Sequence, residues 1–135
     1  MHTIFENEIA KTDYDSDKEL VTVTWKESAK AITMEEYKQP FEEGLIYMES
    51  SNAEAKYFLS DIRNQRPVSP KYRKWFQSVA IQRASDAGII RGAVVMENNV
   101  FKKYYINHIM KTLKKVNMEF KAHKSVEKAI EWLTR

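Results

Sequence analysis

The side chains able to do chemistry fall in two stretches. One runs from Asp61 through Arg63, Asn64 and Arg66 to Ser69, Lys71, Arg73 and Lys74; the other is Glu97-Asn98-Asn99, just after an apolar run ending at Met96. Ser69-Pro70 marks a helix start, with serine at the N-cap and proline at the first helical position. The opening turn of a helix carries partial positive charge and normally collects acids. Here it collects Lys71, Arg73 and Lys74, with Arg63 and Arg66 just ahead. Function is sought where local preference is broken in this way. Such a cluster attracts a phosphate, a carboxylate or an acidic protein surface. The competing reading is a solvated rim in which Arg63 pairs with Asp61 and the lysines point into water.

Asp61 and Glu97 follow apolar runs that read as parallel strands, so both fall at the strands' carboxyl edge, where α/β sheets bind ligands. A hydrolytic pair of these two acids is the enzymatic alternative, and it would need a shaped cleft and shifted pKa values. No catalytic residue is assigned, because no G-x-S-x-G elbow, Walker loop, G-x-G-x-x-G turn or H-E-x-x-H pair occurs. His2, His108 and His123 lack ligand-like spacing, so neither a metal nor a cofactor is expected. Ser69 is read as a cap, with phosphoacceptor as its second reading. A phosphate there would bring roughly two negative charges to the helix start beside Lys71, Arg73 and Lys74, ordering the loop.

The elements that must position these residues are legible in the patterning. Residues 8–14 are weakly strand-like. Asp15-Ser16-Asp17-Lys18 is turn chemistry, and Leu20 to Trp25 alternates apolar Val21, Val23 and Trp25 with threonines, which predicts an antiparallel hairpin. Thr33 to Glu36 fits a capping box, and Tyr37, Phe41, Leu45 and Met48 share a helical face; Pro40 inside that run predicts a kink or restart. Tyr57-Phe58-Leu59 and Gly92 to Met96 read as strands buried on both sides. Between them a helix from Ser69 carries Tyr72, Trp75, Phe76, Val79 and Ala80 and closes at Gly88. Asn99 caps a third helix with Ile106, Ile109, Met110 and Leu113 inward and Lys102, Lys103, Lys111, Lys114 and Lys115 mostly outward. Residues 118–122 form a last strand, and Ser125 caps a last helix bearing Val126, Ala129, Ile130 and Leu133. The order ββαβαβαβα predicts an α/β fold, with about five strands in a mostly parallel sheet behind an N-terminal antiparallel hairpin and about four helices on both faces. Neighbouring residues on a helix lie about 100° apart, so Trp75-Phe76 and Tyr104-Tyr105 each leave one ring partly exposed, a candidate pocket edge or homodimer contact.

Composition sets the outer bounds. A chain of 135 residues, 43% hydrophobic and 30% charged with only three glycines and three prolines, predicts one ordered domain over residues 1–135. A net charge of +3 is too slight for a nucleic-acid module. The absence of cysteine removes disulfides and zinc–thiolate sites. Neither a signal peptide nor an apolar run of about 20 residues is present, which predicts a cytoplasmic, non-integral protein.

The element order, and the segment Phe58-Leu59-Ser60-Asp61-Ile62-Arg63-Asn64 through Val68-Ser69-Pro70 and Trp75, resembles the STAS/SpoIIAA-like family, closest to a bacterial branch of it. That is a family of anti-anti-sigma-factor-like domains, related in shape to the lipid-binding CRAL-TRIO fold. The resemblance spans roughly residues 8–133. It implies a regulatory module whose phosphoacceptor serine matches Ser69 and whose acidic strand-end residue matches Asp61. The family's acceptor run is Asp-Ser-Ser/Thr-Gly, whereas this chain has Val68-Ser69-Pro70-Lys71. The function expected is non-enzymatic docking of a protein partner near residues 61–69 and the start of the second helix. The alternative is a carrier or sensor of a small anionic or lipid-like ligand. The candidate binding residues are Asp61, Arg63, Asn64, Arg66, Ser69, Lys71, Arg73, Lys74, Glu97 and Asn98.

Overall fold

Threonine–valine alternation and a short polar turn produce the hairpin. β2 (Ala10–Asp15) and β3 (Leu20–Trp25) pair antiparallel from Ala10↔Trp25 to Asp15↔Leu20, and Asp15 Oδ1 accepts the amides of Asp17 and Lys18 at 3.0 and 3.3 Å. The structure, a computed structural model, describes residues 1–28, 30–50, 53–66, 68–97, 107–111 and 113–135. A further strand precedes the hairpin. β1 (His2–Glu6) pairs antiparallel with β2 and shifts register between Thr3 and Phe5. The sheet thus has six strands where the patterning predicts about five. Thr3, Ile4 and Phe5 are strong strand formers, but five residues ending in an acid carry too short a pattern to stand out.

The capping box forms as the spacing requires. The Glu36 amide donates to Thr33 Oγ1 at 3.2 Å and the Thr33 amide to Glu36 Oε1 at 3.0 Å. Of the kink or restart expected at Pro40, the restart does not occur: the helix, α1 (Met34–Ser50), is continuous through it. Pro40 is buried against the sheet, where the Thr12 hydroxyl donates to its carbonyl at 2.8 Å. Gly44 lets the helix lie close, since a Cβ there would sit 3.3 Å from both Thr12 and Val21.

β4 (Tyr57–Asp61), β5 (Arg91–Val95) and β6 (Glu119–His123) then add in parallel, so the sheet order is β1 to β6 in chain order. Between β4 and β5 run α2 (Pro70–Trp75), a π-helical turn (Phe76–Ala80) and α3 (Ile81–Asp86), the last closed by Gly88 at φ 111°. Residues 107–111, here α4, are helical, and α5 (Val126–Leu133) ends the fold behind Ser125, whose Oγ accepts the Lys128 amide at 3.2 Å. With strands in chain order and crossovers of one hand, every crossover helix falls on the same face. One core therefore gathers Val21, Val23, Trp25, Phe41, Phe76, Ile81 and Ile109. The opposite face holds Leu20, Leu59, Ala93 and Val95 under Ala129 and Leu133 of α5.

Two inward assignments need correction. The π turn inserts an extra residue and rotates the remainder of the segment, so Ile81 and Ala84 turn inward while Val79 is 38% exposed. On the α4 side, Ile109 and Leu113 face the core, but Met110 is 48% exposed. Of the adjacent aromatics, Phe76 is buried and Trp75 half-buried, as the angular spacing requires. Asn98, Asn99, Lys102, Lys103, Tyr104, Tyr105 and Ile106 lie outside the described residues.

Candidate functional site

The carboxyl edge of the sheet neutralises itself. Asp61 closes β4 and is buried. Its Oδ1 accepts Arg63 Nε at 2.9 Å and the Arg63 amide at 3.2 Å, and its Oδ2 accepts Arg63 Nη2 at 2.7 Å. The hydrogen bonds and charge of Asp61 raise the Arg63 pKa above its ordinary value against the opposing effect of burial, and Glu97 adds to the rise. Both oxygens of Asp61 are thus committed to one guanidinium. That is the rim arrangement set against the anion-site reading in the sequence.

The remaining cations diverge. Arg66 Nη1 donates to the Ser28 carbonyl at 3.5 Å, and Asn64 and Glu97 are exposed. Ser69 caps α2, accepting the Lys71 amide at 3.2 Å while its carbonyl accepts the Tyr72 amide at 3.0 Å. Lys71 is exposed, and Arg73 is half-buried with its Nε lacking a hydrogen-bond partner. Lys74 leaves this group altogether and enters a groove on the outer side of the crossover layer.

That groove, open to solvent, holds about 460 Å³ between the α2–α3 segment and α4. Lys74, Gln77, Ser78 and Gln82 line one wall. Their spacing follows the helix face opposite Phe76, Ala80, Ile81 and Ala84, which face the core cluster. His108, Lys111 and Lys115, at i, i+3 and i+7, line the other wall with Val116. Among the described residues no carboxylate lines the groove, and none lies within ion-pair distance of Lys74, Lys111 or Lys115. Three lysines lining one hollow give it a positive character, with the amides and hydroxyl of Gln77, Gln82 and Ser78 alongside as hydrogen-bonding groups. Of the candidate binding residues, the structure brings only Lys74 here. The sequence alone places Lys111 and Lys115 on an outward solvated stripe. Their i, i+4 pairing beside the inward Ile109–Leu113 stripe is the available signal, but it does not reveal which helix they face.

Beneath this layer lies a second hollow of about 30 Å³, lined by apolar groups of α1, the π turn, α3 and the sheet. Among the described residues no three His, Asp or Glu side chains are grouped to hold a metal, and no helix is long and apolar enough to cross a membrane. Comparison with known proteins yields no matching family model, curated protein or solved structure.

Proposed function

We propose that this chain is a non-enzymatic binding module whose docking site for a small anion is the groove between the α2–α3 segment and α4. The observation that carries this reading is the convergence of Lys74, Lys111 and Lys115 on one roomy hollow without an acid in its lining. A volume of this order suits a ligand of metabolite size. The reading keeps the negative partner expected from the basic opening of α2 but moves its seat from residues 61–69 to the far side of that helix. Arg63, tied to Asp61 by two side-chain bonds, is not counted in it. Kinship with STAS/SpoIIAA-like regulators remains part of the proposal, supported by the parallel strand order and the serine-capped α2.

Titration with inorganic pyrophosphate, followed through lysine ammonium and amide NMR shifts, tests it. Shifts centred on Lys74, Ser78, Lys111 and Lys115 are the expected result. Shifts centred on Arg63 to Lys71 return the site to the sheet edge, and none anywhere refutes the reading.

A further inference from the structure

The π turn separates the two hollows. Gln77 and Ser78 look out into the cationic groove, while Phe76 and Ala80 look in on the apolar one. The two also approach each other along the chain after α4: Val116 lines the groove, and Met118, two residues on, lines the inner hollow. Resting on the anion-site reading, we infer that both hollows serve one ligand. It is a soluble anion with a short unbranched apolar tail, its charged head at Lys111 and Lys115 and its tail passing Val116 and Met118 into the inner hollow.

The lining decides the chemistry of the tail. A hollow without polar groups offers water none of the two to four partners it needs, so it accepts an apolar group or stays empty. Its size decides the length. About 30 Å³ is roughly two to three times the space one water needs, room for the end of a short alkyl chain. Residues 116 and 118 are at most about 7 Å apart along the chain, so a tail of roughly four to six carbons bridges the two hollows. Met48 and Met118 form part of the inner wall, and unbranched thioethers re-pack more readily than other core side chains. Half-buried Met118 and Phe120 mark the side from which the tail enters, while Phe41 and Phe76 on the remaining wall are buried. A membrane lipid's chain is far longer than this hollow accommodates.

The test is a chain-length series of inorganic, methyl, butyl and hexyl phosphate, with the Met48, Met118 and Ala84 methyls observed by NMR. Affinity is expected to rise by up to about fourfold per buried methylene, the 0.8 kcal/mol of a CH₂ leaving water. The Met118 methyl should shift only with butyl and hexyl phosphate and show contacts to their terminal methyls. Ala84→Leu, which fills the inner hollow, should flatten the series and leave inorganic phosphate affinity unchanged. If that variant does not fold, the ligand–Met118 contacts in the parent chain decide alone. A flat series with Met118 unmoved, while phosphate still binds, overturns this inference and spares the groove. Loss of all phosphate binding removes both. Co-sedimentation with phosphatidylglycerol vesicles, without any gain from short tails, overturns it in favour of a headgroup surface.

Discussion

Replacing Lys111 and Lys115 by glutamine removes two charges from the groove without shortening either side chain by more than about one bond. For an exposed ammonium about 6 Å from a dianion in near-aqueous dielectric, Coulomb's law gives close to a tenfold loss of affinity per lysine before screening. A Debye length of about 30 Å at 0.01 M salt leaves roughly sevenfold each, and about 8 Å at 0.15 M leaves roughly threefold. The double variant should therefore bind pyrophosphate about fiftyfold more weakly at low salt and about tenfold more weakly at physiological salt. Isothermal calorimetry at the two salt concentrations measures this directly. The matched control is Lys121→Gln with Lys128→Gln, which removes the same net charge from exposed positions on β6 and α5. If the control loses as much affinity, or the groove variant's loss does not shrink with salt, the site is not this groove and net charge alone is at work.

Tyr14 is buried, its hydroxyl donates to the Glu54 carbonyl at 2.7 Å, and its pKa lies above 10.0, raised first by burial and then by Tyr47, Glu19, Glu54 and Asp15. The folded state favours the neutral phenol, so this contribution is whole below pH 10.0 and is lost as pH rises through the raised value. Tyr14→Phe should cost about 1 kcal/mol near neutral pH and lessen the alkaline fall in stability; urea melts across that range, with phenolate absorbance, check both. Ser69→Ala removes the N-cap and should lower stability by about 1 kcal/mol, near 3–5 °C in Tm, without changing pyrophosphate affinity. A selective loss of binding there would restore Ser69 to the site.

Local chemistry made much of this architecture readable. The Asp15 turn, the Thr33 and Ser125 caps, Ser69-Pro70 and Gly88 each satisfy backbone groups within a few residues, so their spacing carries the information. What escaped has several causes. β1 is too short a pattern to stand out although β2 follows it directly, Pro40 stays within one continuous helix packed on Thr12 of β2, and the π turn rotates the inward face after Phe76. The site followed the same division. The cations around the start of α2 were visible as a cluster in one dimension, but Asp61 takes Arg63 and the helix turns Lys74 to the far side. Lys111 and Lys115 lie far along the chain from Lys74. Only the placement of α4 beside the α2–α3 segment joins them to it.

The two sides of the α2–α3 segment differ in chemistry, and the proposed anion site rests on that difference. Crossovers of one hand lay the three helices side by side, leaving a seam on either flank. The seam with α1 is closed: Tyr37 packs on Tyr72 and Trp75 at ring separations of 5.6 and 6.3 Å, Lys38 lies 5.5 Å over Trp75, and Arg83 grips Glu49 with bonds of 3.2 and 2.6 Å. Aromatic stacking, a cation over a ring and a forked ion pair each draw the helices together. Among the described residues, the seam with α4 presents amides, a hydroxyl, the His108 imidazole and like charges where the first has stacked rings and opposite charges. Like charges across a seam repel when empty, so an anion bound between them relieves that repulsion as well as adding attraction. A fold that merely needed its helices packed had the means to do so, as the first seam demonstrates. The proposed anion site would give the second seam the opposite charge that its own lining lacks.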